Sequence, residues 1–418
     1  MSFNEWKIVK IEDICSIKRG ASPRPIQEYI RDSGIPWVKI ADATSSESRF
    51  IERTKEFIKE EGKSKSRYIE QGTLILSNSA TPGIPKIMKI NACVHDGWLI
   101  VDDYQGVTKE YMYYMFVIER EKLLMLSNGS VFNNLKTDIV KNYEITLPPL
   151  EEQKAIANIL SSLDEKIEVN NQINKKLEEM AQVIFKQWFV DYEFPNEEGM
   201  PYKSSGGAMF ESELGMIPKG WEVIEIGDFI TVADGTHASP KKQKEGYPLI
   251  TSKHIKNNKL LIEEAKLISE KDFVEVNKRS KVDTRDILIT MIGTVGVLYY
   301  VSEKEISFAI KNLGLFKTSE NANYANYIYL YLSSNKMKDY IKSRLAGSTQ
   351  QYISLTELRK IPLFISNQEV NFKFNELVEP LFQLMSEIKE QNQRLKGIRD
   401  ALLPKLMSGE IRVLIDKE

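Results

Sequence analysis

Three histidines, His95, His237 and His254, and two cysteines, Cys15 and Cys93, are the residues of this 418-residue chain best suited to bind a metal or carry nucleophilic catalysis. The cysteines form no CxxC pair, and the histidines do not gather with them into a four-ligand set, so neither a zinc site nor a triad is suggested. Asp102 and Asp103 could bind a cation, but a solvated loop is the stronger reading. There is no Asn-Pro-Pro-aromatic tetrapeptide of adenine methyltransferases and no G-x-x-x-x-G-K-S/T phosphate loop. The Gly and Pro of Ser77–Gly83 match no nucleotide-binding loop. An enzyme reading therefore has little support, and no cofactor or metal is expected in this chain. The chemistry that remains is recognition by polar loop side chains, which depends on what positions them.

At 418 residues the chain is long enough for two or three domains with real cores. Hydrophobic residues make up 42% and charged residues 28%, as in an ordinary folded protein without a membrane span. The opening Met1-Ser-Phe-Asn-Glu-Trp6 lacks an apolar signal core, and the isolated cysteines suit a reducing cytoplasm. The net charge of −2 hides a segregation. Residues 1–150 carry 21 Lys and Arg against 20 Asp and Glu; residues 217–366 carry 22 against 17; the remainder carries 14 against 22. A polyanion would be drawn to the first two segments rather than to the third.

Two stretches carry the plan. In the first, seam positions fall at Ile156, Leu160, Leu163, Ile167, Asn170, Asn174, Leu177, Ala181, Ile184 and Trp188. The steps alternate four and three, which is a coiled-coil pattern. Pro148 and Pro149 stop what precedes it, and Glu151 and Glu152 suit a helix N-terminus. The pattern returns 218 residues later at Phe374, Val378, Leu381, Met385, Ile388, Asn392, Leu395, Arg399, Leu402 and Leu406. Two such seams in one chain suggest an antiparallel pair of helices, each about 60 Å long at 1.5 Å per residue. Asn170, Asn174 and Asn392 make the middle polar, either to fix register or because the seam is solvated there. Phe185, Trp188 and Phe189 make one helix end aromatic, either packing on a globule or forming a partner interface.

Ahead of each seam lies one of two related α+β segments. In the first, short strands are expected over Trp6–Ile11, Ile35–Ile40, Gly72–Ser77 and within Cys93–Val101. A helical turn is expected over Glu12–Lys18, a helix over Glu110–Leu126 and an extended run over Ile139–Leu147. Trp221-Glu-Val-Ile-Glu-Ile226 matches Trp6-Lys-Ile-Val-Lys-Ile11 at an offset of 215, Gly246-Tyr-Pro248 matches Gly34-Ile-Pro36, Thr294 and Gly296 match Thr81 and Gly83, and Gly347-Ser348 matches Gly129-Ser130. Trp6 and Trp221 read as core anchors, and the two Gly-Ser pairs as backbone devices. The chain is thus a tandem duplication: domain 1–149, helix 150–190, linker 191–216, domain 217–366 and helix 367–410. The linker is rich in Gly, Ser, Pro and Glu and needs no single conformation. An antiparallel helix pair would put the domains at opposite ends of a rod with pseudo-twofold symmetry, as in a dimeric reader of double-stranded DNA.

Three motifs then carry a family resemblance. Leu147-Pro-Pro-Leu-Glu-Glu-Gln153 heads the first helix, Glu213-Leu-Gly-Met-Ile-Pro-Lys-Gly-Trp221 enters the second domain, and Leu403-Pro-Lys-Leu-Met-Ser-Gly-Glu-Ile411 ends the second helix. Together they resemble the specificity (S) subunit of type I restriction–modification systems, over nearly the whole chain. The resemblance implies a non-catalytic subunit of a cytoplasmic complex, with two target-recognition domains and two spacer helices. It also implies a bipartite, asymmetric double-stranded DNA site, two modification (methyltransferase) subunits and two restriction subunits as partners. Those partners would use S-adenosylmethionine, ATP and Mg. One departure is that the second helix begins Ile365-Ser-Asn-Gln-Glu369, without the diproline motif; the two partner contacts would then be unequal, or this helix start is merely degraded. A coiled-coil adaptor without DNA readout is the other class weighed.

Under the resemblance, DNA contacts come from loops between strands. Phosphates need Lys, Arg or small polar groups, and base edges need Arg, Lys, Asn, Gln or Asp. The candidates in the first domain are Lys18, Arg19, Arg24, Lys39, Asn78, Ser79, Asn133 and Asn134. In the second they are His237, Lys241, Lys242, Lys253, His254, Thr294, Gln350 and Gln351. For each the competing reading is a solvated surface residue or a turn former.

Overall fold

The computed structural model describes residues 6–44, 48–127, 134–256 and 258–413. The chain divides into two compact units, Met1–Asn170 with Gln391–Glu418, and Asn171–Glu390.

The first unit holds two five-stranded sheets. One runs in the order Ser16–Arg19, Trp98–Asp102, Leu74–Ser77, Pro85–Met88, Phe50–Ile51. Its centre is Leu74-Ile-Leu-Ser77, wholly buried, which explains an apolar run without alternation. Leu76 lies opposite Leu99 and Ile75 opposite Ile100. The other sheet includes Ile35–Val38 beside Ala92–Val94, in parallel, with Trp37 opposite Cys93. Lys7–Lys10 pairs antiparallel with Glu144–Leu147.

Three expectations shift in detail. The helix expected over 110–126 is two, Lys109–Ile118 and Arg120–Ser127, the first capped by the Thr108 hydroxyl accepting from the Tyr111 amide. Only Ile11–Asp13 turns in the segment expected to be helical over 12–18. Ser16–Arg19 there is a strand, with Ile17 in the core and Lys18 and Arg19 outside. The run expected to be extended from Ile139 starts instead with a helical turn, Thr137–Lys141.

The second unit repeats this order with fewer strands. Val232–Asp234, Leu313–Phe316, Ile287–Thr290 and Leu298–Tyr300 form one sheet. Lys266–Ile268, Tyr247–Ile250 and Ala309–Ile310 form another, again with a parallel pair, Leu249 opposite Ala309. Glu222–Glu225 pairs with Pro362–Ile365 as Lys7–Lys10 does with Glu144–Leu147. The segment expected to be a loose linker is ordered. Met209–Ser212 and Gly215–Pro218 form a hairpin, and Phe194 stacks between Tyr202 at 4.6 Å and Trp221 at 5.4 Å. Its aromatic residues supply the burial that its Gly and Ser conceal.

The long helices are Leu150–Phe189 and Gln368–Met407, 40 residues each. In the first unit, Ile156 and Leu160 share a core with Leu403 and Leu406, and Asp164 takes Arg399 at 2.7 Å. In the second, Ala181, Phe185 and Trp188 share a core with Phe374, Val378 and Phe382, with Trp188 and Phe374 rings 5.8 Å apart. Numbers rise along one helix as they fall along the other, so the pair is antiparallel. The buried seam is wider than strict three–four spacing: Phe382 and Leu403 are buried, whereas Leu163, Asn174, Ile184, Leu381, Met385, Leu395 and Leu402 are half-buried. Each helix also covers part of a domain, and that widens the apolar stripe. The aromatic end packs inward, Phe189 lying 4.5 Å from Tyr327 and 5.3 Å from Trp221.

The diproline motif turns Pro148, Glu152 and Gln153 inward and leaves Leu150 and Glu151 exposed. The fully buried Gln153 accepts from the Thr108 amide at 3.0 Å and donates to the carbonyls of Gly106 at 3.0 Å and Pro148 at 2.9 Å. Glu152 receives Trp6 Nε1 at 3.0 Å and Arg412 Nε at 2.6 Å. Trp6 is thus half-buried under the C-terminal segment, whereas its counterpart Trp221 is buried. At the head of the second helix the counterpart of Gln153 is Asn371, one methylene shorter. It donates only to the Asn323 carbonyl at 3.1 Å, and its Oδ1 has no hydrogen-bond partner among the described residues.

Candidate nucleic-acid interface

In the first unit the edge strand Ser16–Arg19 runs into a turn at Gly20. The Gly20 amide donates to the Trp98 carbonyl at 2.9 Å and the Ala21 amide to the Val94 carbonyl at 3.2 Å. A Cβ at residue 20 would lie 2.3 Å from the His95 carbonyl oxygen, so only glycine permits this approach. The loop that follows therefore lies against His95–Gly97, and Asp96 becomes a hub. Its carboxylate accepts from Ser22 Oγ at 2.5 Å and faces Arg24 at 3.5 Å, Arg19 at 3.8 Å and His95 Nε2 at 3.1 Å. Its carbonyl accepts from Arg19 Nε at 2.8 Å and from Asn78 Nδ2 at 3.4 Å.

Burial pushes the Asp96 carboxyl up, but the Ser22 hydroxyl, His95 and Arg24 outweigh it and hold the group below its ordinary value. Burial also lowers His95. Ser79 sits beside the same turn, its Oγ 2.6 Å from where a Gly97 Cβ would be. The exposed Asn134 adjoins Leu135, whose amide donates to the Asn78 carbonyl at 2.8 Å. Arg19, Arg24, Asn78, Ser79 and Asn134 are thus brought together. Lys18 stands apart on Asp103 at 3.2 Å and Lys39 on Glu56 at 2.7 Å. Asn133, like Gly129-Ser130, lies outside the described residues.

The second unit builds its loops in the same place. The exposed His237 contacts Asn312 Oδ1 through Nδ1 and the buried Asp234 through Nε2, both at 2.9 Å. Lys311 Nζ locks the loop by donating to the His237 carbonyl at 3.0 Å, the Ala238 carbonyl at 2.6 Å and Ser239 Oγ at 2.8 Å. Lys241 and Lys242 follow on the exposed part of that loop, which the Gln243 amide pins to the Leu267 carbonyl at 2.9 Å. Lys253 is exposed on the neighbouring turn. Thr294 is exposed on a turn held by Thr290 Oγ1, which donates to the Thr294 carbonyl at 2.5 Å. The exposed Gln350 and Gln351 meet that turn, the Gln351 carbonyl accepting from the Gly293 amide at 3.2 Å.

His254 departs from expectation. It is 1% exposed, and its Nδ1 accepts from the Thr251 amide at 2.9 Å to close a 3-10 turn. Burial lowers its pKa. It is a structural core histidine, out of reach of a surface ligand.

Three residues missed in the sequence, Ser22, Asp96 and Asn312, hold the loops in shape. The signal for them was present: Gly20 and Gly235 stand at the same 215-residue offset as Trp6 and Trp221. Exposed ion pairs such as Arg24–Asp96 contribute little stability, so their guanidinium groups exchange readily for a phosphate or a base edge. Among the described residues, no three His, Cys, Asp or Glu side chains are placed to hold a metal, and no helix is long and apolar enough to cross a membrane. On the long helices, Ile159, Ile173 and Met180, and Leu377, Leu384 and Ile398, stay exposed at positions related by sevens.

Comparison with known proteins gives a consistent picture. A family model described as "Type I restriction modification DNA specificity domain" matches residues 4–179 and again 218–396. The MjaIX specificity subunit of a type I restriction enzyme from Methanocaldococcus jannaschii is 31% identical, over 98% of this chain and 94% of that one. The HindI specificity subunit of Haemophilus influenzae is 24% identical, over 77% and 82%. Among solved structures, the S subunit of a type I restriction–modification system from M. genitalium shares the fold, with a TM-score of 0.55, 17% identity and coverage of 97% and 96%.

Proposed function

The chain belongs to the type I restriction–modification DNA specificity family, and from that premise we propose that it is the DNA-reading subunit of such a complex, acting in the cytoplasm. Each α+β domain reads one half of a split, asymmetric double-stranded site through its loop cluster. The two half-sites differ because the loops share a frame but not side chains. The paired helices set a gap of unread bases between the halves. They also dock two modification subunits, which bring adenine methylation and bind two restriction subunits in turn. The exposed apolar positions on the helices support such docking, since a lone soluble helix pair has no use for them.

The observation that carries this reading is the repeated loop hub, rebuilt at Asp96 and at Asn312 on one backbone frame. The experiment is selection from random duplex DNA by the complex of this chain with its modification subunit. The expected result is one site of two unlike halves separated by unread bases. A single continuous site, or enrichment of nothing, would overturn the proposal.

A further inference from the structure

The two domains place a polar side-chain pair at one equivalent point. In the first, the backbone frame is Gly20 N to Trp98 O at 2.9 Å and Ala21 N to Val94 O at 3.2 Å. In the second it is Gly235 N to Leu313 O at 2.8 Å and Thr236 N to Ile310 O at 3.1 Å. A Cβ would lie 2.3 Å from the His95 carbonyl oxygen at Gly20 and 2.6 Å from the Ile310 carbonyl oxygen at Gly235. Two residues past each glycine, a side chain reaches across to the turn that enters Trp98–Asp102 in the first domain and Leu313–Phe316 in the second. There Ser22 Oγ donates to Asp96 Oδ1 at 2.5 Å, and His237 Nδ1 meets Asn312 Oδ1 at 2.9 Å.

The frame is kept and the chemistry is changed. A pair retained only to staple the turn would be under the same constraint in both domains, as the glycines are. We propose that Ser22 with Asp96, and His237 with Asn312, are the equivalent specificity-determining pairs of the two domains, each choosing bases in its own half-site. This rests on the DNA-reading function proposed above.

The chemistry of each pair gives it a preference. A carboxylate near DNA is repelled by phosphate, so Asp96 gains only by accepting from an exocyclic amine, as on cytosine or adenine. Arg24, held beside it, is then aimed at the same base edges and suits guanine O6 and N7. The Asn312 amide carries a donor and an acceptor, which suits adenine N6 and N7. Asp234 takes His237 Nε2 from the far side, so both ring nitrogens are engaged and the ring fixes where the Asn312 amide points.

The test exchanges one pair while leaving the other as an internal control. The double variant Ser22→His with Asp96→Asn, assembled with its modification subunit, is put through selection from random duplex DNA beside the wild type. His237→Ser with Asn312→Asp is the reciprocal variant. Each should change base preference about tenfold or more at one or two positions of a single half-site, the worth of a good base contact. The other half-site should be unchanged. If both variants select the wild-type site, or bind less tightly with its base preferences intact in both halves, the pairs are turn staples and the proposal fails. If a variant fails to fold, its reciprocal and the single Asp96→Asn decide. A wild type that selects no split site would instead sink the DNA-reading function itself, so the two failures are distinct.

Discussion

Asn170 donates to Asn392 Oδ1 at 2.8 Å in the middle of the helix pair, with 1% and 8% of the two residues exposed. The same Asn170 amide donates to Gln391 Oε1 at 2.7 Å. A one-turn slip would bury an asparagine against leucine or isoleucine, so the amides reject wrong registers. Asn170→Leu alone should therefore lower stability by about 1–3 kcal/mol, the cost of withdrawing one partner from a buried polar group. Asn170→Leu with Asn392→Leu should recover most of that loss and give up register selectivity. Thermal unfolding of wild type, both singles and the double variant checks the coupling; additive losses would count against it.

The helix pair was legible because its pattern is local and repeats every seven residues. Ile156, Leu160, Phe374 and Val378, all on that repeat, are fully buried. The loop hub was not, because it joins residues 74 apart in sequence, Ser22 and Asp96, across two sheets. His254 looked like a surface group beside Lys253, yet the turn it closes buries it; sequence does not distinguish a capping imidazole from an exposed one. The segment 191–216 read as a loose linker because it is rich in Gly, Ser, Pro and Glu. Phe194 and Tyr202, spaced without periodicity, instead fold it onto Trp221.

The heads of the two long helices should respond unequally to mutation. Gln153 makes three hydrogen bonds and is fully buried, so Gln153→Ala should destabilise the first domain by about 2–4 kcal/mol. Asn371 makes one, and Asn371→Ala should cost about 1 kcal/mol or less. Denaturant unfolding of the two variants measures the difference directly.

Lys389 carries a pH signature. It lies 2.9 Å from Glu303 and also bonds Tyr299. Burial pushes the Glu303 carboxyl up, but Lys389 and Tyr299 outweigh it and hold it below its ordinary value of 4.5. A carboxyl depressed in the folded state adds stability above its unfolded value and loses it as pH falls through the folded one. Lys389→Met should therefore destabilise most at neutral pH, and the gap to wild type should close as pH drops below 4.5. A gap independent of pH would mean that packing, not charge, is what the lysine supplies.

Backbone neutralisation and base reading separate by salt and by sequence. Lys241 and Lys242 are exposed on a pinned loop and suit phosphate contacts. Replacing both by Ala should weaken specific and random DNA alike and reduce the slope of log K against log salt by about two. Gly235→Ala acts differently, because its Cβ would strike the Ile310 carbonyl and displace the loop that carries His237. It should lower affinity for the specific site by about tenfold or more while leaving random-DNA affinity and the salt slope close to wild type. Titrations of both variants at three salt concentrations, on specific and scrambled duplexes, distinguish the two behaviours. Equal losses on both duplexes for Gly235→Ala would mean that the turn holds the domain together rather than aiming its loop.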